Sequence, residues 1–545
     1  MKFISQIKQA LAFSKANNRR YFLLAVSIVA FSVFRPMQAF VYKEAVNIAM
    51  GVSEGNLNLW LFLGLTAIVI YDVSVYCRNH LRNRLTEEII ENNQSRLLEQ
   101  ILRAPIRITE SQSMGDQLTV LKDDIQLTAT MVPTQYTDLI FGALQLSLSL
   151  VYALQVSVPL TVVSVCVLPL SFIITKVISP KIQEKYKQRQ ESEAKVRTFF
   201  LDRMQHLLLI KSFTLRSKLL GSFDTLYSEK LTKVSEHEKV QATMSATGSL
   251  FGTLATAVVY SFGFYQVSQG GMSIGDLLGY TSILSSLLWP FLMMPRIIST
   301  IASQQAAFGR IEAMVETLHS LQETQHIDHC DGELVMTAEG ISFSYDGIDN
   351  IFSDLSFTFQ PGSIVGIAGP SGSGKSTLLR LILGLYQPQH GKLSIQSGEI
   401  ASEYADMRSF ISYVPQGGSL VKGTIAENIR FRNTSATTED VVSAAQMAHA
   451  HDFIMDLPAQ YDTDLGELGS SLSEGQAQRI AIARALLANK PVLVMDEASS
   501  ALDATSEQYI LETIKNVSKD KLCILVAHRQ AMLDICTEKL LLGNG

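Results

Sequence analysis

The chain has 545 residues, more than the roughly 250–300 over which one core usually grows, so at least two domains are expected. Hydrophobic residues make up 47% and charged residues only 18%, which places part of the chain in lipid. A formal charge of −6 argues against nucleic acid as a partner, and the scattered Cys77, Cys166, Cys330, Cys523 and Cys536, with no CxxC pair, signal neither a disulfide scaffold nor a zinc site.

A basic, amphipathic lead of about twenty residues precedes an apolar run that continues past Phe40 without a small-residue cleavage site, so the run reads as a retained first span rather than a signal peptide. Stretches able to cross a ~30 Å hydrocarbon layer fall at 21–42, 57–77, 131–154, 158–178, 244–266 and 274–298. Short links join these six within pairs, and long polar segments at 78–130 and 179–243 separate the pairs. The long segments carry Arg78, Arg82, Arg84, Lys181, Lys185, Lys187 and Arg189, whereas the short links hold only Lys43. The positive-inside tendency therefore puts the N-terminus, both long segments and the C-terminal part in the cytoplasm. The long segments have helical apolar spacing, so the spans are expected to continue beyond the membrane; ~25 further residues add nearly 40 Å.

Ionisable residues inside spans are costly and often face a water-filled path. Arg35 and Asp72 are thus candidates for substrate contact or for an interhelical pair. Gly248 and Gly252 in GSLFG are expected at a close helix contact.

The division expected is a membrane domain over 1–310, a linker over 311–331 and a soluble α/β domain over 332–545. In the linker, His326, His329 and Cys330 lack a fourth ligand and are not read as a metal site. The run Gly369-Pro-Ser371-Gly372-Ser373-Gly374-Lys375-Ser376-Thr377 fits G-x-x-x-x-G-K-[ST] between the strand-like SIVGIAG and the helix-like STLLRLILGLY. Its glycines let backbone N–H groups wrap phosphate oxygens, Lys375 brings charge to the outer phosphates, and Ser376 offers a hydroxyl to Mg²⁺. PVLVMDE reads as a buried strand ending in Asp496, placed to hold Mg²⁺ through water, and Glu497, placed to polarise an attacking water.

Between these motifs lies Leu472-Ser473-Glu474-Gly475-Gln476, which resembles the signature of ATP-binding cassette (ABC) transporters, with Glu474 where the family usually has Gly. Tyr345 resembles the aromatic residue that stacks on adenine, Gln416 in ISYVPQ the glutamine that senses Mg²⁺, and His528 in CILVAHR the histidine that contacts the γ-phosphate. Asp464-Leu-Gly-Glu467 resembles the loop preceding the signature in exporters, and Ser500-Ala-Leu-Asp503 the loop that crosses the dimer interface. Residues 105–116 resemble the first cytoplasmic coupling region, and Ile210-Lys211-Ser-Phe213 the second.

The resemblance implies an exporter-type half-transporter: a six-helix all-α transmembrane domain fused to an α/β P-loop ATPase. ATP and Mg²⁺ are its implied cofactors, with Ser376, Gln416 and Asp496 about the metal and Glu497, His528 and Gln416 serving hydrolysis. It implies a second half-transporter subunit, an identical copy or a related chain, whose Ser473, Gly475 and Gln476 cap the nucleotide held by Tyr345, Lys375, Ser376 and Asp496 of the first. It also implies residence in a bacterial cytoplasmic membrane. Peptides, lipids, lipid-linked sugars and drugs stay open as cargo, and a membrane receptor or regulator of the same fold that moves no solute is the alternative.

Overall fold

A computed structural model describes residues 10–543 except 16, 112, 320–333, 346, 398–399, 418–419, 467–471, 498–503 and 527–528. The chain forms two compact units, one of Met1–Glu99 with Gly115–Glu316, the other of Gln100–Met114 with Thr317–Gly545.

The first unit is helical. Its long helices are α1 (Asn18–Ala49), α2 (Leu57–Arg103), α3 (Thr137–Val156), α4 (Val158–Gln205), α5 (Arg216–Ser268) and α6 (Ile274–His319); all but α3 contain a whole predicted apolar stretch, and α3 carries the stretch 131–154 from residue 137 onward. Among the described residues, Asn18–Ala49, Leu57–Arg103, Met114–Val156 and Arg216–Ser268 are long and apolar enough to cross a membrane. Phe22, Val26, Val29, Phe62, Leu65 and Val69 are exposed on α1 and α2, as expected of helices whose outer solvent is lipid rather than water. Side-chain oxygens mark the helix starts: Asn17 accepts from the Arg19 N–H, and Ser157 from the Leu160 N–H. The third predicted span begins irregularly, with π-helical turns at Val120–Asp124 and Met131–Tyr136. Pro133 has no N–H to donate, and the Thr137 hydroxyl donates to the Pro133 carbonyl at 2.6 Å.

Beyond the apolar stretches α4 and α5 continue as an antiparallel pair, cross-linked by Lys185–Glu236 at 2.7 Å, Lys195–Glu229 at 3.1 Å and Arg189–Glu238 at 3.2 Å. Among the described residues, a Cβ at Gly248 or Gly252 would meet nothing within 4 Å. A tight approach lies on α6. A Cβ at Gly275 would stand 2.5 Å from the Lys43 carbonyl, and one at Gly279 would stand 3.0 Å from that of Ala39, so α6 packs backbone to backbone on α1. Lys43 and Asp276 pair beside this contact at 2.9 Å.

In the second unit an antiparallel sheet in the order β2-β1-β4-β5 is built from β1 (Leu334–Phe343), β2 (Phe352–Phe359), β4 (His390–Ser397) and β5 (Ile400–Glu403). A parallel sheet in the order β6-β7-β8-β3-β9 uses β3 (Ile364–Ala368), β6 (Ile411–Val414), β7 (Val492–Asp496), β8 (Leu522–Val526) and β9 (Glu538–Leu541). Helices α7 (Lys375–Ile382), α8 (Ile425–Arg430), α9 (Thr438–Met447), α10 (Glu474–Ala488) and α11 (Ala504–Val517) lie between the strands in sequence. The central strand β8 and residues Val492–Met495 of β7 are apolar without interruption because both faces of the sheet are covered there, whereas the edge strand β9 starts with Glu538 and Lys539. Along β7, Val492 and Val494 enter one core with Leu378 and Ile382 of α7, while Leu493 and Met495 enter another with Ile480 and Ala483 of α10.

Candidate ATP site

All strands of the second sheet run the same way, so the residues following β3, β6 and β7 emerge at one edge. After β3 the chain turns through the glycine-rich loop into α7. Gly374 has φ +89°, and a Cβ there would lie 2.6 Å from Ile351 and 2.8 Å from the Phe352 ring, so neither the conformation nor the space admits a side chain. Lys375 is buried, and its Nζ donates to the carbonyls of Gly369 and Pro370 at 2.9 Å each, which holds the ammonium inside the loop. Ser371, Gly372 and Ser376 are exposed, whereas Thr377 is buried. The Ser373 hydroxyl is buried without a hydrogen-bond partner. A loop of this kind, with its cation turned inward, an exposed Ser376 hydroxyl and an unsatisfied Ser373 hydroxyl, fits a phosphate chain and its accompanying cation.

The carboxylates after β7 sit across β8 from this loop. Glu497 adopts φ +47°, a conformation costing a non-glycine residue about 1–2 kcal/mol, and three hydrogen bonds hold it there. Its N–H donates to Val526 O at 3.0 Å, its Oε2 accepts from Gln416 Nε2 at 2.8 Å, and its carbonyl accepts from Gln478 Nε2 at 3.3 Å. The predicted partners Gln416 and Glu497 therefore meet. Tyr413, on β6 beside Asp496, was not singled out from sequence. Burial, then the charge of and hydrogen bond with Asp496, push its hydroxyl up to about 12, so it stays protonated and able to donate to that carboxylate. A tyrosine two residues before Pro-Gln on a half-buried strand was the available signal.

Tyr345 is 39% exposed, leaving part of its ring open, and its hydroxyl lies 3.3 Å from Thr377 Oγ1. Arg380 on α7 donates to the Tyr345 hydroxyl at 3.2 Å and lies 3.7 Å from Glu110. Tyr386 donates to Glu110 at 2.5 Å and meets the Tyr345 ring edge-on. Burial and then the Glu110 hydrogen bond and charge push Tyr386 up to about 12. Glu110 belongs to the helix Ile106–Ser111, inside the segment read as the first coupling region, and sequence reasoning missed it together with Arg380 and Tyr386.

Ser473 is exposed at the start of α10, where its Oγ accepts from the Gln476 N–H at 3.3 Å and the Gln476 side chain accepts from the Ser473 N–H at 2.9 Å. The signature is thus also a capping box, which points the free N–H groups of a 15-residue helix outward beside Gly475. His528, residues 500–503, Glu467 and the His326, His329, Cys330 group lie outside the described residues.

A phosphate loop between a parallel strand and a helix, an Asp-Glu pair two strands away and a set of long apolar helices define a membrane-bound P-loop ATPase. Residues 352–500 match the model of the ABC transporter family, and residues 21–291 match that of the ABC transporter transmembrane region. The two matches cover about three quarters of the chain, which belongs to the ABC transporters, in the exporter arrangement with membrane and ATP-binding domains fused. It is 28% identical over 496 residues to the uncharacterized ABC transporter ATP-binding protein YknU of Bacillus subtilis, covering 90% of this chain and 84% of that protein. It is likewise 28% identical over 554 residues to a putative multidrug export ATP-binding/permease protein of Staphylococcus aureus, covering 99% and 95%. The fold matches that of a bacterial Atm1-family ABC exporter with ATP bound at a TM-score of 0.81, with 24% identity and coverage of 97% and 95%. The chain is a multi-pass membrane protein that binds ATP and couples its hydrolysis to transport.

Proposed function

We propose that two copies of this chain pair head to tail, so that the exposed start of α10 in one subunit caps the nucleotide bound on the loop 369–377 of the other. The observation that carries this reading is the joining of Gln416 to Glu497 at the strand edge that also bears the phosphate loop and Asp496. Glu497, fixed by Gln416 and by its own backbone bonds, orients and polarises the attacking water; His528 contacts the γ-phosphate; Tyr345 receives the adenine on its open face. Ser376, Gln416 and Asp496 would hold Mg²⁺, which when bound neutralises charge on the phosphates. Capping by Ser473, Gly475 and Gln476 closes the two ATPase domains, and hydrolysis releases them.

The reading divides the chain into 1–310, 311–331 and 332–545, with six spans and with the N-terminus and ATPase domain on the cytoplasmic side of a bacterial membrane; the basic residues of the long segments and the long helices of the first unit support it. Alternating closure and release moves cargo from the cytoplasmic side outward. Multidrug export, the role for which the Staphylococcus aureus relative is named, is one cargo class within this reading.

The test is ATPase activity of the purified protein in lipid, with Lys375→Ala and Glu497→Gln. Both variants are expected to lose at least 10²-fold in turnover, the scale of a lost transition-state contact, and Glu497→Gln is expected to trap a Mg-ATP-dependent dimer seen by cross-linking. Turnover that persists in Lys375→Ala overturns the site. ATPase without accumulation of any cargo in inside-out vesicles favours the regulator instead.

A further inference from the structure

The membrane unit contains a cavity of about 340 Å³ between α1, α2, α3 and α6. Its polar wall carries the guanidinium groups of Arg35, Arg78 and Arg82 against the single carboxylate of Asp138, an excess of two positive charges, three against one. Arg82 is the one that is paired: it binds Asp138 and donates to Thr137 Oγ1 at 2.9 Å. Neither Arg35 nor Arg78 pairs with a carboxylate among the described residues, and Arg35 forms no pair with Asp72, which is exposed and outside the cavity wall.

Aromatic rings back these cations. Arg78 lies 4.3 Å from the centre of the Phe31 ring and 5.5 Å from that of Phe141, and Arg35 lies 5.4 Å from that of Tyr71. A ring face attracts a guanidinium group without accepting its N–H hydrogen bonds in the way an anion does, which leaves these groups able to bind an acceptor. Arg78 Nε and Arg82 Nε are buried and have none. Trp289 closes the apolar side, edge-on to Phe141 at 5.5 Å, and Gln145 is already engaged with the Ser286 hydroxyl at 2.8 Å. Arg35 lies within the first apolar stretch and Arg78 directly follows the second, and an uncompensated cation so placed is retained where it meets something that enters the path.

We propose that this cavity is a cargo subsite for an anionic amphiphile, whose phosphate, sulfate or carboxylate group is taken by Arg35 and Arg78 and whose apolar body lies along Phe31, Phe141 and Trp289. The assignment names the cargo chemistry of the transport reading and rests on it. A cationic amphiphile is disfavoured by the same two charges.

The chain has two tryptophans, Trp60 and Trp289, so the Trp60→Phe protein reports the cavity by Trp289 fluorescence. In phosphatidylcholine nanodiscs it is titrated with decyl phosphate, with decyltrimethylammonium, and separately with phosphatidate built into the bilayer. A saturable response to decyl phosphate, or to phosphatidate, at least ~10-fold tighter than to decyltrimethylammonium is expected, as one charge-assisted hydrogen bond supplies a factor of that order. The first arm identifies a soluble anion and the second a lipid headgroup. Arg78→Gln is expected to weaken the response by ~10-fold or more, with Arg78→Lys recovering part of it. Equal affinity for the cation, no response from Trp289 to any probe, or an unchanged response in Arg78→Gln overturns the assignment. The charge series on the parent needs no Arg78 variant and decides the question should Arg78→Gln not fold. Lys375-dependent ATPase on the same preparation separates the two readings: its absence counts against transport, and its presence without a Trp289 response counts against the cavity alone.

Discussion

The two units are built from similar proportions of helix-forming apolar residues, yet they hold themselves together by different means. In the ATPase unit, successive residues of β7 feed two cores, and Val492, Leu493, Val494 and Met495 are all at most 3% exposed. Water drives that burial. In the membrane unit large apolar side chains are left outside, where lipid is as good a solvent as a neighbouring helix, so association depends on close backbone approach and on polar pairs. Gly275 and Gly279 against α1, Arg82 with Asp138, and the bidentate pair of Arg310 with Asp124 at 2.6 and 2.8 Å are contacts of that kind. The difference teaches that a single polar or glycine position should matter more among the long helices than its conventional rank suggests, and less within the strands.

The largest effect expected from this contrast is at Arg82. Arg82→Ala leaves the Asp138 carboxylate without its cation in a largely buried setting, at a cost on the order of 3 kcal/mol. A marked drop in the thermal midpoint in nanodiscs is expected, and Arg82→Met with Asp138→Leu should regain most of it. An unchanged midpoint in the single variant would show that the pair contributes nothing and would break the comparison.

Next comes the glycine contrast. A Cβ at Gly275 would stand 2.3 Å from Asn47 Oδ1 and 2.5 Å from a backbone oxygen, so Gly275→Val is expected to destabilise by about 1–3 kcal/mol. Gly248→Val, whose Cβ meets nothing within 4 Å among the described residues, should stay within about 0.5 kcal/mol. Equal midpoints for the two variants would remove close α1–α6 packing as a source of stability.

The smallest effect is electrostatic and lies in the ATPase unit. Glu474 places a carboxylate in the first turn of α10, beside the positive helix end that the capping reading assigns to a phosphate. Glu474→Gly relieves a repulsion of about 0.3–1 kcal/mol, and is expected to lower KM for ATP by roughly 2–5-fold at low salt, fading as ionic strength rises. A KM that rises instead would mean that Glu474 contributes to binding, a role the capping geometry does not supply.

Much of the ATP site was legible because it is local. The run 369–377 is contiguous, and Lys375, Ser376, Asp496 and Glu497 follow strands whose apolar pattern identifies them. Gln416 was found by family likeness, and its bond to Glu497 came only with the fold. Tyr413, Arg380, Tyr386 and Glu110 were hidden for a different reason. Each is an ordinary residue type whose role arises from a partner as far as 276 residues away, as in the Tyr386–Glu110 bond.

What the sequence by itself determined is the set of periodic and contiguous features: six apolar stretches, the side that bears the basic residues, and a phosphate loop set between strand and helix. These rest on local chemistry, since hydrophobic length and glycine placement act within a few residues. Only the tertiary structure showed what Gly275 and Gly279 meet, because their spacing puts both residues on one helix face but does not say what that face meets. It also gathered Arg35, Arg78 and Arg82 around one cavity, since charges on separate helices become neighbours only when those helices pack.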